Sequence, residues 1–193
     1  MNASAATPRH ELQPSAWITR FAHLVPRGAR VLDIAAGRGR HARLFAARGA
    51  HVVAVDRDAD ALADLRGVAD ADVLVADLEA GPWPFAGATF DAIVVTNYLH
   101  RPLYTPIIDA LAADGVLLYE TFAVGHEALG RPTNPDFLLR ENELLDVARG
   151  RLTIVAFEQG RIDGERPAIV QRLAATGVRR ADRSSLVAAG RIG

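Results

Sequence analysis

The chain contains no cysteine, which excludes disulfides, thiolate zinc sites, iron–sulfur clusters and cysteine nucleophiles. Lysine is absent too: all 22 basic residues are arginine. A phosphate loop of the Walker type and a pyridoxal Schiff base both need a lysine amine, so neither can form. The only serines are Ser4, Ser15, Ser184 and Ser185, and none sits in the G-x-S-x-G turn of a serine hydrolase. Long hydrophobic runs are missing as well. Half of the residues are apolar, yet no run approaches the ~20 needed to span a bilayer, and the opening MNASAATPRHELQP has no apolar signal core. The expectation is a cytoplasmic protein with no membrane partner. A net charge of −1 argues against a phosphate-binding surface, and the arginines of the last third are read as a solvated face rather than a nucleic-acid footprint.

With 193 residues, the chain has room for about one domain. A polar leader (1–14), a single domain (15–175) and a tail (176–193) are the expected divisions. SAWITRFAHLVP opens the domain as a short amphipathic helix stopped by Pro26. RVLDI, HVVAVD, DVLVAD, FDAIVVTNY and GVLLYETF then recur as apolar runs suited to parallel strands buried on both faces. Between them RHARLFAARG, ADALADLRG and LYTPIIDALAADG read as helices ending in glycine. RLTIVAFEQG and PAIVQRLAAT, parted by IDGER, read as a terminal antiparallel hairpin. This is an α/β pattern with right-handed crossovers.

The first strand runs into VLDIAAGRGRHA, a glycine-rich turn that lets a ligand approach the backbone at a helix N-terminus. Gly37-x-Gly39-x-x-Ala42, with Asp56 further on, also satisfies a dinucleotide fingerprint. Asp33 separates the readings, because a carboxylate at this strand end would repel a pyrophosphate and suits a ligand carrying an ammonium group. S-adenosylmethionine has one, together with a carboxylate able to pair with Arg38, Arg40 or a backbone N–H, and a ribose able to bridge to Asp56. Asp77, past the third strand, can accept from an adenine amine. Asp33, Asp56 and Asp77 then line one crevice in the order methionine end, ribose, adenine.

Over roughly residues 28–175 the chain resembles the class I S-adenosylmethionine-dependent methyltransferases. VLDIAAGRGRHA is similar to that family's first motif, VVAVDRD to its second, ADLEAGPWPF to its third, FDAIVVTNYLH to its fourth and LAADGVLLYETF to its fifth. The resemblance implies a Rossmann-like seven-stranded sheet, order 3-2-1-4-5-7-6 with strand 7 antiparallel and helices on both faces. It also implies transfer of a methyl group by in-line displacement. Donor contacts would come from Asp33, Ala35, Gly37, Arg38, Gly39, Asp56, Arg57, Asp77, Leu78 and Asn97. Ala35 stands where the motif has glycine; its methyl is tolerable while the local φ stays negative, with altered affinity expected. Within the family the chain looks most like small bacterial methyltransferases of the tellurite-resistance type.

The acceptor side is open to fewer deductions. His100 is the candidate base and Tyr98 a group to orient the acceptor; the bland alternatives are a solvent-facing histidine and a packing tyrosine. The long segment ETFAVGHEALGRPTNPDFLLRENEL is read as a lid contributing His126, Arg131, Asn134 and Phe137, or else as a surface excursion. The fourth motif lacks the N-P-P-Y tetrad of amino-directed nucleic-acid methyltransferases, which favours a small-molecule acceptor. DRDADALAD alternates Asp56, Asp58 and Asp60 but lacks the glycine and glutamate of a calcium loop, so no metal is expected and Asp58 or Asp60 serves as a helix cap. A nicotinamide-dependent oxidoreductase and a noncatalytic donor-binding protein are the alternatives from other classes.

Overall fold

The computed structural model describes residues 13–164 and 166–177. All but the end of the proposed leader, and the tail from 178 on, lie outside the described residues.

Helix α1 (Ala16–Phe21) starts where Ser15 Oγ accepts from the amides of Trp17 and Ile18, and it continues as one 3-10 turn to Leu24 before Pro26. Capping of this kind satisfies two of the four orphan donors of a helix N-terminus. The strands are β1 (Arg30–Ile34), β2 (His51–Asp56), β3 (Ala71–Val75), β4 (Phe90–Thr96), β5 (Leu111–Phe122), β6 (Leu152–Ile162) and β7 (Ala168–Gly177). Between them lie α2 (Arg40–Ala47), α3 (Ala59–Ala63), α4 (Tyr104–Asp109) and α5 (Glu143–Ala148). Asp58 caps α3, its Oδ1 accepting from the amides of Asp60 and Ala61.

The strands form one seven-stranded sheet in the order β3-β2-β1-β4-β5-β7-β6. Pairing is parallel from β3 through β5, and β7 runs antiparallel to both of its neighbours. Side chains alternate to two cores. Val31, Val94 and Leu118 face α1 and α2, with Trp17, Phe21 and Phe45. Leu32, Ile34, Ile93, Val95 and Leu117 face α4 and α5, with Leu103, Ile107 and Leu144. Trp17 is 2 % exposed and its Nε1–H donates to the Leu173 carbonyl at 3.3 Å, so it is a core residue.

Two expectations need correction. The third strand is not buried on both faces: β3 is the outer strand, and Val73 and Val75 are 38 % and 52 % exposed. The helix expected through LYTPIIDALAADG stops at Asp109, and the strand begins at Leu111. The cause is the entry of β4, whose Phe90 N–H takes the Ala110 carbonyl at 2.8 Å. Residues 112–115 then bulge out, since Phe90 pairs with Leu111 and Ala92 with Val116.

Candidate active site

At the carboxyl edge of β1, β2, β4 and β5 lies a cavity of about 740 Å³, within the range of small-molecule sites. Its floor is the turn from β1 into α2. Ala35, Gly37 and Gly39 all have positive φ there (53°, 53° and 75°). The condition placed on Ala35 is therefore not met: its Cβ sits in a left-handed conformation that disfavours any residue but glycine. The two glycines differ in purpose. A Cβ at Gly37 would meet nothing within 4 Å, and this residue borders the cavity. A Cβ at Gly39 would sit 2.3 Å from Leu65 Cγ, so Gly39 permits helix packing and does not border the cavity.

The strand-end acids are held by backbone amides. Asp56 Oδ2 accepts from Gly37 N–H at 2.8 Å and Oδ1 from Asp58 N–H at 2.9 Å. One carboxylate thereby joins the turn after β1 to the turn after β2, and each oxygen retains a lone pair toward the cavity it borders. Asp77 Oδ1 accepts from the amides of Glu79 and Ala80 at 2.9 and 3.3 Å. Arg57, Leu78 and Asn97 also border the cavity, Asn97 with φ 54°. Arg38 borders it while paired with Asp64 at 3.1 Å.

Asp33 is placed differently from the crevice-lining position expected. It is 1 % exposed and lies behind the turn, where Oδ2 accepts from Ala42 N–H at 3.0 Å and Oδ1 has no hydrogen-bond partner. Burial raises its pKa to about 7, against the opposing effects of the Ala42 amide and the Arg40 charge. A carboxyl this buried avoids full ionisation because desolvation disfavours the charged form.

The opposite wall comes from residues after β4 and β5. Tyr98 and Leu99 border the cavity, and the Tyr98 hydroxyl is buried beside the Glu79 carboxylate. Burial, then the nearby Glu79 carboxylate, push its pKa far up and keep it protonated. His100 does not border the cavity; its Nδ1 lies 3.9 Å from Glu79 Oε2. Of the four lid candidates only Phe137 borders the cavity, 47 % exposed. His126 is buried beneath the loop, its ring stacked on Phe122 at 4.3 Å. There Nδ1 accepts from Ile169 N–H at 3.3 Å and Nε2 bonds the Arg131 carbonyl at 2.9 Å. Asn134 caps the 3-10 turn that carries Phe137 by accepting from Asp136 N–H, and Arg131 is exposed away from the lining.

Sequence reasoning gave no role to Phe122, Pro132 and Arg166, which all border the cavity. It also gave none to Arg101, which fastens this wall. Arg101 donates from Nε and an Nη to the two oxygens of Glu143 at 2.8 and 3.0 Å, and to the carbonyls of Asp136 and Leu138, both at 2.9 Å. Phe137 is thus gripped on either side in sequence. The fork of the guanidinium suits such a planar, multiply bonded clamp, though nothing in the segment's spacing signals it.

The strand order with one reversed strand, and a ligand-sized cavity behind a glycine turn at the carboxyl edge, define the class I S-adenosylmethionine-dependent methyltransferase fold. Residues 31–114 match the family model described as "Methyltransferase domain". TehB from Haemophilus influenzae superposes with a TM-score of 0.72 at 16 % identity, over 85 % of this chain and 62 % of that one. A 1,6-didemethyltoxoflavin-N1-methyltransferase from Burkholderia thailandensis, solved with 1,6-didemethyltoxoflavin and S-adenosylhomocysteine bound, gives 0.63 at 20 % identity over 92 % and 93 %. A curated relative, protein-L-isoaspartate O-methyltransferase 2 from Rhodopseudomonas palustris, is 37 % identical over 107 residues, 53 % of this chain. The chain spans about half the length of that relative (48 %). Among the described residues no helix is long and apolar enough to cross a membrane, and no group of three or more His, Cys, Asp or Glu residues could hold a metal ion.

Proposed function

We propose that the protein transfers a methyl group from S-adenosylmethionine to a small-molecule acceptor in this cavity. The observation that carries the reading is the Asp56 carboxylate, fixed by the amides of Gly37 and Asp58 at the carboxyl edge with lone pairs left for a pair of vicinal hydroxyls. Asp77 stands beyond it for an adenine amine, while Asp33 lies behind the turn and does not border the cavity. When bound, the donor supplies an activated methyl on a sulfonium.

The chain's own part is alignment and water exclusion, which can supply much of the rate of an in-line displacement. Phe122, Pro132 and Phe137 give the acceptor half an apolar wall, with Tyr98 beside it. The 1,6-didemethyltoxoflavin bound in the Burkholderia neighbour supports a small-molecule acceptor.

Calorimetric titration with S-adenosylmethionine, S-adenosylhomocysteine and NAD tests this reading. Binding of both sulfur nucleosides and not NAD is expected, and Asp56→Ala should weaken both by about thirtyfold, in line with the ~1.5–3 kcal/mol of a charged hydrogen bond. Binding of NAD alone would make the chain a nicotinamide enzyme instead.

A further inference from the structure

The charges bordering the cavity are sorted along the sheet. Its acids, Asp56, Asp77 and Glu79, all come from the end of β2 and the turn after β3. The opposite end is bordered by Thr121 and Phe122 at the end of β5, Pro132 and Phe137 on the long loop, and Arg166 in the turn between β6 and β7. None of these is acidic. In the order β3-β2-β1-β4-β5-β7-β6, β2 and β7 lie four strand spacings apart, which is roughly 19 Å. That exceeds the ~8 Å Debye length at physiological salt, so the acids do little to offset a cation at the β7 end.

Arg166 is that cation. It is exposed and makes no hydrogen bond or ion pair among the described residues, and Asp163 of the same turn is taken by Arg161 at 2.9 Å. The other guanidinium groups at the cavity are placed otherwise: Arg38 is paired with Asp64, Arg40 feels the charges of Glu120 and Asp33, and Arg57 follows Asp56 at the acidic end. The turn of Arg166 and the loop of Pro132 are held to one another by His126. A backbone N–H can only donate, so His126 Nδ1 accepts from Ile169, just past Arg166, and Nε2 donates to the carbonyl of Arg131, next to Pro132. A planar fork with no acid to answer it, at the edge of an apolar wall, matches a molecule with an apolar body and a carboxylate head and disfavours a cationic one. We propose that the methyl acceptor is an organic acid of this kind, its carboxylate received by Arg166 and its body laid against Phe122, Pro132 and Phe137. The inference rests on the methyl-donor reading and adds to it the chemical class of the acceptor.

The test uses the full chain saturated with S-adenosylhomocysteine and titrated calorimetrically with two matched pairs of probes, 1-naphthoate with 1-naphthamide and indole-3-acetate with indole-3-acetamide. Each pair shares an apolar body and differs in charge. The acid of each pair should bind about tenfold more tightly than its amide. Arg166→Ala should abolish that difference by weakening the acid alone, with the amide and S-adenosylhomocysteine unchanged, while Arg166→Lys, a point charge without the fork, should retain part of it. Phe137→Ala should weaken acid and amide alike. Acids that bind no better than their amides, an equal effect of Arg166→Ala on both, or no binding of any probe to the loaded protein would overturn the acceptor class while the donor reading stands. Failure of the unaltered protein to bind S-adenosylhomocysteine would overturn the donor reading, and this inference with it.

Discussion

The two walls of the cavity are built by different means. The strand-end wall is made of short turns whose amides fasten carboxylates: Gly37 and Asp58 on Asp56, Glu79 and Ala80 on Asp77. The Gly37 bond joins neighbouring turns of one parallel sheet, and the other three close their own turns. The loop wall hangs on a side-chain clamp, Arg101 with Glu143, and on the buried ring of His126. Backbone fastening makes the first wall stiff and insensitive to most substitutions; the second depends on a few residues and can be retuned by changing them. A donor of constant shape suits the former, and an acceptor that differs among relatives suits the latter.

The largest effect should come from the burial imposed by the stiff wall. Asp33 has its pKa raised from 3.8 to about 7, so the folded state binds more protons than the unfolded one between those values. Stability is full below about pH 4, falls as pH rises to about 7, and is flat above. Across that window the loss is on the order of 4 kcal/mol. Asp33→Asn should remove it, giving a urea midpoint raised at pH 8 and unchanged at pH 4 relative to the unaltered protein. His41, with its pKa lowered to about 3, acts oppositely as pH falls below its ordinary value, so the difference between variant and native protein is the quantity to read. An equal gain at both pH values would show that Asp33 is not held protonated.

Next in size is Glu143→Ala. It deletes the acceptor of bonds from Arg101, Tyr104 and the Arg140 amide, and should lower stability by about 2 kcal/mol. Proteolysis between residues 130 and 138 should speed up while S-adenosylhomocysteine affinity holds within about twofold. A parallel loss of nucleoside affinity would show that the walls are not independent. Smallest is Ala35→Gly. Relief of a left-handed alanine, roughly 1–2 kcal/mol, is offset by the larger backbone entropy of an unfolded glycine. A net gain of about 0.5 kcal/mol in urea unfolding is expected.

The same contrast explains how much could be read from sequence. Asp33 and Asp56, near and at the ends of β1 and β2, and Asp77, just past β3, belong to apolar runs that mark the strands, so their arrival at one sheet edge was legible. The reversed hairpin at the sheet's far side was legible for the same reason. What periodicity does not carry is which way a strand-end side chain turns: Asp33, in register with Val94, faces α2 from behind the turn rather than the cavity. Nor does a glycine reveal whether it answers to φ or to a neighbour such as Leu65. On the loop wall the residue types invited guesses, but position there is set by partners distant in sequence. Arg101 and Glu143 are 42 residues apart, and Ile169 reaches His126 across 43. No local pattern encodes such pairs.

Val73 and Val75 lie on β3, the sheet's outer strand, beside Asp70 and Asp72. An unpaired edge carrying β-branched apolar residues is a template on which another chain can add a strand. The two aspartates act as gatekeepers there, holding colloidal stability through like-charge repulsion between molecules. High salt screens that repulsion, so self-association would begin at this edge while the rest of the fold is still intact.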